Sequence, residues 1–279
     1  VRAIADSGAD AVIVQDVGLL ALIRRLAPTL PIHASTQMTQ TEAEGIEFLR
    51  ELGVSRVIVA RELSLIELAR LVEDTPLPLE VFVHGALCIS FSGQCLASEA
   101  LWGRSANRGQ CGQACRLPYQ LVVDGHAVQF DERDYRLSAQ DLAAYDRIPE
   151  LTKLGIGAVK IEGRLKSAHY VAAATRMYRA ALDAAARGTP FTPAPTQEEE
   201  LVQSFSRGLS HGYLDGLNHQ QLVHGRFPHK RGQRVGTVVS KTARSVIVEL
   251  LPGSPGSAPL KPGDGVVFDE GHPERDEQG

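Results

Sequence analysis

Cys88, Cys95, Cys111 and Cys115 are the only cysteines in 279 residues, and all four fall within 28 positions, in the pattern C-x6-C-x15-C-x3-C. Four chemistries compete for such a cluster. Buried structural thiols belong at core positions of strands or helices, whereas "SGQC" and "GQCGQACRLP" are glycine- and serine-rich loops. Two disulfides suit a small secreted scaffold better than a large α/β domain. Structural zinc prefers C-x2-4-C knuckles; Cys111 and Cys115 fit the loose end of that range, and Cys88 and Cys95 do not. An iron–sulfur cluster takes four thiolates and tolerates irregular loop spacing, because its cuboidal core is larger than a single ion. Arginines beside the cysteines suit the negative charge of thiolates and sulfides. The pattern therefore points first to a [4Fe–4S] cluster, with zinc as the alternative.

The elements that must carry this loop repeat a simple unit. Apolar strands are expected at 10–15, 31–36, 55–60, 78–85 and 155–163, and amphipathic helices follow most of them. Strands recurring every 20 to 25 residues, with helices between, are the mark of parallel βα units. No G-x-G-x-x-G follows a strand, so a dinucleotide-binding sheet is disfavoured. The expected fold is a (β/α) TIM-type barrel, which places functional groups at the C-terminal ends of its strands. Those ends carry Gln15 and Asp16; His33, Ser35 and Gln37; Arg61 and Glu62; His84; then Lys160, Glu162 and Arg164.

The predicted organisation is a partial barrel over 1–192 interrupted by the irregular cysteine-rich loop 86–137. A linker and helix follow over 193–230, and an incomplete small β-barrel-like module over 231–279. The chain opens on Val1 in "VRAIADSGAD", which reads as the last turns of a helix. N-terminal barrel units are therefore expected to be missing.

Composition narrows the function classes. The net charge of −4 announces no global field for nucleic acid, and no apolar run is long enough to span a membrane. Four cysteines without an export signal suit a reducing cytoplasm. Cations are nevertheless clustered. Arg104, Arg108 and Arg116 flank the cysteines; Lys160, Arg164 and Lys166 flank a strand end; Arg226, Lys230, Arg231 and Arg234 precede the last segment. These are either solvated faces or a phosphate-binding track. Hydrolytic signatures are absent: there is no H-E-x-x-H and no G-x-S-x-G. A Cys–His pair of His84 and Cys88, or Glu162 with His84 on a bound zinc, remains as hydrolytic chemistry. Glu80 in its strand reads equally well as an ion-pair partner for a neighbouring strand's Lys or Arg. Aromatics are few, and Phe91, Trp102 and Tyr119 are those near the cysteines; for Trp102 and Tyr119 packing around the loop is favoured over base stacking.

"EVFVHGALCISFSGQCLAS" (80–98) resembles the signature of the collagenase-like peptidases of family U-32. Glu80, Phe82, Gly85, Cys88, Gly93, Cys95 and Ser98 match it, and Ala97 stands where a larger aliphatic residue is usual. The likeness extends through "IHASTQMT", "NRGQCGQACRLPY" and "VKIEGRLKSAHYV", over most of residues 1 to 235. The resemblance implies a barrel whose Cys88, Cys95, Cys111 and Cys115 bind a [4Fe–4S] cluster. It also implies, despite the family's name, O2-independent hydroxylation of RNA bases or ubiquinone precursors. The form of the second cysteine motif is most similar to the branch that makes 5-hydroxycytidine in 23S ribosomal RNA. Carried over, His33, Gln37, Glu62, His84, Lys160, Glu162 and Arg164 line a substrate pocket, with His84, Glu162 and Glu62 the candidates for catalysis. Arg108 and Arg116 join His33, Gln37, Lys160 and Arg164 as candidate substrate contacts. The expected function is iron–sulfur-dependent hydroxylation of an RNA base, with RNA as partner and an electron donor still to be named. The alternatives are a collagenase-like peptidase and a non-catalytic scaffold stapled by metal.

Overall fold

Short apolar segments seed one sheet, and the helices between them cover one of its faces. The computed structural model describes residues 1–128, 133–232, 234–251 and 262–269. A first helix, α1 (Arg2–Asp6), leads to β1 (Val12–Val14), α2 (Val17–Leu26) and β2 (Ile32–Ala34). Next come α3 (Ala43–Glu51), β3 (Arg56–Ile58), α4 (Leu65–Asp74) and the long β4 (Leu79–Ala86). The helix starts are written in sequence. Asp16 accepts the Leu19 N–H, and Ser64 with Glu67 forms a reciprocal capping box that satisfies two otherwise orphaned donors.

The cysteine-rich segment contains α5 (Ala97–Trp102), two single 3-10 turns, and an exposed hairpin of β5 (Leu121–Val123) and β6 (His126–Val128). The chain then re-enters the sheet through β7 (Asp141–Ala143), followed by α6 (Ile148–Lys153), β8 (Ala158–Ile161) and α7 (Ala168–Ala186). After α8 (Pro195–Ser204), β9 (Leu209–Ser210) and α9 (His219–Leu222), a separate antiparallel hairpin forms from β10 (Gly236–Lys241) and β11 (Val246–Leu250).

The main sheet has seven strands in the order β1-β2-β3-β4-β7-β9, with β8 also on β4. The expected closed barrel is not found among the described residues; the sheet is open and mostly parallel. The reason lies at the end of β4, where His84 pairs with β8 on one edge and with β7 on the other. Its first half pairs parallel with β8, Glu80 beside Ala158 and Phe82 beside Lys160. Its last three residues pair antiparallel with β7, His84 beside Ala143. A strand running against its neighbour breaks the uniform parallel winding of a barrel.

The two sheet faces differ sharply. Ile32, Ala34, Val57, Val81 and Val83 join the buried core with Leu20, Ile46, Leu68 and Met177 from the helices. Alternate positions His33, Arg56, Glu80, Phe82 and Lys160 meet on the other face, linked by the ion pairs and ring contacts given below, which is the period-two alternation of a strand. Residues 193–230, expected to be a linker and helix, add Leu201, Leu214 and Leu222 to the same core, and β9 pairs with β7. These apolar positions are too few and scattered to announce burial in sequence. Of the segment expected as a β module, residues 233, 252–261 and 270–279 lie outside the described residues, as do 129–132 of the cysteine loop.

Candidate functional site

The polar sheet face is an ion network. Glu80, largely buried, lies 3.5 Å from Arg56 Nη1 and 3.1 Å from Lys160 Nζ. The Arg61 guanidinium lies 4.1 Å from the centre of the Phe82 ring, and Lys160 Nζ 5.4 Å from it. His33 is held below the usual histidine range by burial first and by Arg56, with Glu80 acting in the opposite sense. It is therefore neutral at pH 7. The ion-pair reading of Glu80 is what the strand register delivers.

The cysteine loop lies across the strand ends, fastened by residues far away in sequence. Glu62 accepts the Ser92 N–H at 2.9 Å and the Ser92 hydroxyl at 2.8 Å. Thr39 Oγ1 donates to the Ser92 carbonyl at 2.5 Å. Gly93, at φ 74°, sits against the Gln37 carbonyl so closely that a Cβ would collide with it. Gln37 itself occupies a 3-10 turn (Thr36–Met38), where its side chain accepts the Ser35 hydroxyl. Farther along, Asn107 Oδ1 accepts the Cys95 N–H at 3.0 Å, and Arg164 Nη1 donates to the Gly109 carbonyl at 3.0 Å. Glu162 accepts the Ala86 N–H at 3.2 Å. Gln37, Glu62, Glu162 and Arg164 thus converge on the loop, mostly as its anchors. Ser92, Thr39 and Asn107 were not singled out in the sequence, although all three lie inside the stretches that carry the family likeness.

All four cysteines are free thiols, with Cys111 exposed and the others half-buried. They share one neighbourhood: Cys115 feels the charges of Cys88, Cys111 and Cys95, and Cys88 those of Cys95 and Cys111. Burial is the main cause that raises the Cys88 and Cys115 thiols, opposed by Arg61 at Cys88 and by Arg116 at Cys115. The Gln113 N–H donates to Cys111 Sγ at 3.3 Å. Among the described residues no three His, Cys, Asp or Glu side chains converge closely enough for a single ion. Four free thiols with arginines and a backbone donor beside them are a donor set that could hold an iron–sulfur cluster or a zinc.

Two candidates sit differently from expectation. His84 is not at an open rim but 2% exposed, its ring 5.7 Å from that of Tyr170 and 5.3 Å from that of Tyr178. A shift in register between Phe82 and His84 turns it out of the alternation. Desolvation lowers its pKa to about 4. Its neighbours make it a packing residue, with no Cys88 partnership. Arg116, expected to reach substrate, is buried, donating to Ser138 Oγ at 2.9 Å, the Leu87 carbonyl at 3.1 Å and the Ala139 carbonyl. The guanidinium fork is thereby occupied by protein acceptors. Arg108 is exposed at the end of a 3-10 turn (Ala106–Arg108) and is free of that constraint.

A second concavity, of about 790 Å3, lies beside β9 and α9, lined by Tyr145, His211, Asp215 and His224 among others, and none of the cysteines borders it. His211 there bridges Asp146 at 3.0 Å and Asp215 at 2.6 Å. No helix among the described residues is long and apolar enough to cross a membrane.

The model of peptidase family U32 matches residues 1–224. The chain is similar to tRNA hydroxylation protein P1 of Bacillus subtilis (strain 168), with 36% identity over 236 residues, covering 82% of this chain and 56% of that protein. It is 43% identical over 179 residues to the 23S rRNA 5-hydroxycytidine C2501 synthase of Escherichia coli (strain K12), covering 64% of this chain and 27% of that protein. A protein named collagenase from Porphyromonas gingivalis (strain ATCC BAA-308 / W83) is 32% identical over 236 residues, covering 80% and 55%. The chain therefore spans about half or less of the length of these relatives.

Proposed function

Because the chain belongs to peptidase family U32, we propose that it is part of an RNA-base hydroxylase in which Cys88, Cys95, Cys111 and Cys115 hold a [4Fe–4S] cluster. The observation that carries this reading is the gathering of four free thiols in one loop, anchored over the strand ends by Glu62, Gln37 and Arg164. When bound, a cluster held by four thiolates supplies electron transfer, since no iron is left open. RNA as substrate is supported by relatives named for hydroxylation of tRNA and of 23S rRNA. Ribosomal cytidine is the leading target, given the 43% identity to the synthase.

The chain's own residues have separable tasks in this reading. Exposed Arg104 and Arg108 sit on the cysteine segment, and Arg226, Lys230 and Arg234 are exposed farther along, where they neutralise phosphates. On the sheet face, neutral His33 offers a hydrogen-bond acceptor among Arg56, Lys160 and Arg61. Glu62, Glu162 and Arg164 hold the loop in place. A reducing cytoplasm suits both the free thiols and an RNA substrate.

Hydrolysis has weaker support. The collagenase-named relative favours it, but His84 packs on Tyr170 and Tyr178 and gives Cys88 no general base.

Mass spectrometry of nucleosides from ribosomal and transfer RNA of a deletion strain tests the proposal. Loss of a hydroxylated pyrimidine, restored by the intact gene, is expected. An unchanged nucleoside profile, together with cleavage of gelatin by the purified protein, would overturn it in favour of the peptidase.

A further inference from the structure

Trp102 is the last residue of α5, followed by Gly103 in the left-handed region at φ 66°. Ser98 and Trp102 are four apart and share one helix face. Both meet the backbone just after Cys111: Ser98 Oγ accepts the Gly112 N–H at 2.9 Å, and a Cβ on Gly112 would lie 2.6 Å from Trp102 Cε3 and Cζ3. A glycine is thus required for the indole to approach this strap so closely. The ring is not covered from outside, for Trp102 remains 46% exposed, with Leu101 at 53% and Leu96 at 65% beside it in sequence.

The charge on the segment after this platform is positive, although exposed Glu99 lies one turn before Trp102 on α5 itself. Between Glu99 and Asp124 the sequence has Arg104, Arg108 and Arg116 and no acid. Arg116 is buried, while Arg104 and Arg108 are exposed. Arg164 reaches the same strap through the Gly109 carbonyl. An aromatic plane supported from below, open above and bordered by cations is the combination that binds single-stranded nucleic acid: the ring takes a base and the arginines take phosphates. Protein partners of an apolar patch do not call for that surplus of exposed cations, two arginines against the single Glu99.

We propose that Trp102 is the platform on which an unpaired base of the RNA stacks, with Arg104 and Arg108 holding the adjoining phosphates. The inference rests on the RNA reading above and names the residue that receives the strand, next to Cys111. It replaces the expectation that Trp102 serves only to pack the loop.

The chain contains a single tryptophan, so its intrinsic fluorescence reports on this site alone. The full chain is titrated with an RNA hairpin bearing a seven-nucleotide pyrimidine-rich loop, and separately with a blunt RNA duplex of equal charge. Saturable quenching by the hairpin and none by the duplex is expected. Read by the anisotropy of a fluorescein label on the RNA, since the Trp102 variants carry no tryptophan, Trp102→Ala should weaken hairpin binding about 5- to 150-fold and leave duplex binding unchanged. Trp102→Phe should recover most of the loss. Arg104→Gln with Arg108→Gln should weaken both RNAs and, for the hairpin loop, reduce the slope of log affinity against log salt by about 1.4. Hairpin binding with unaltered fluorescence and a Trp102→Ala variant that binds like the wild type would overturn the stacking role while leaving the RNA reading intact. Failure of the wild type to bind either RNA at low salt would overturn both.

Discussion

Glu62 receives both the backbone N–H and the hydroxyl of Ser92, at 2.9 and 2.8 Å, across thirty residues of sequence. This one carboxylate ties the cysteine loop to the turn that follows β3. The Arg61 N–H in turn donates to the Ser92 hydroxyl at 3.3 Å, so the two turns are reciprocally fastened. Glu62→Ala leaves a buried N–H without its acceptor and should cost about 1–3 kcal/mol in urea unfolding. In a double-mutant cycle with Ser92→Ala the losses should be smaller than additive. Strict additivity would show that the pair does not hold the loop.

His84 makes stability depend on pH. Its pKa in the folded chain is about 4, against an ordinary histidine value of 6.5. Above pH 6.5 the ring is neutral whether the chain is folded or not, and the contribution is constant. Between pH 6.5 and 4 the unfolded chain takes up a proton that the folded chain refuses, so stability falls on acidification. Acidification from pH 7 to pH 5 should remove about 2 kcal/mol. Chemical denaturation of wild type and His84→Gln at the two pH values checks this: the variant should lack that component. Equal pH dependence in both proteins would contradict the buried, neutral ring.

Glu80 is the one carboxylate acting on His33 against two cations. Removing its charge with Glu80→Gln leaves Arg56 and Lys160 as the charges on the ring, so the His33 pKa, already lowered, should fall further. An NMR titration of the His33 ring protons measures the change. A rise, or no movement, would show that the three strands do not share a network.

Arg116 and Arg104 sit in one basic stretch but differ in role. Arg116 is buried on Ser138, Leu87 and Ala139, whereas Arg104 is exposed. Arg116→Met should destabilise by about 3 kcal/mol or more, because two buried carbonyls lose their donor. Arg104→Gln should change stability by less than about 0.5 kcal/mol. Denaturant midpoints for the two variants should separate clearly, and coincidence would refute the clamp.

The regular βα part of the fold was legible because each strand is an apolar run closed by a turn or a capped helix. In the structure Ser64 with Glu67, and Ser167 before α7, cap the helices that follow them. The open sheet was not legible, since nothing local in "QDLAAY" tells that β7 runs against the end of β4. For the site, the cysteines, Glu62 and Arg164 stand out in the sequence, but the use of Glu62 and Arg164 as loop anchors depends on contacts 30 to 55 residues apart. His84 and Arg116 misled for a common reason: both are polar residues beside conspicuous motifs. Their burial is set by partners such as Tyr178 and Ser138, which are distant in sequence.

We propose that Cys88, Cys95, Cys111 and Cys115 form one ligand set for an iron–sulfur cluster. Iron, acid-labile sulfide and zinc measured in the anaerobically purified chain test it most directly. About four iron and four sulfide per chain are expected, with broad absorption near ~400 nm that is lost when any one of the four cysteines is replaced by alanine. One zinc per chain with no sulfide, or a full iron and sulfide content that survives loss of two of these cysteines, would contradict it.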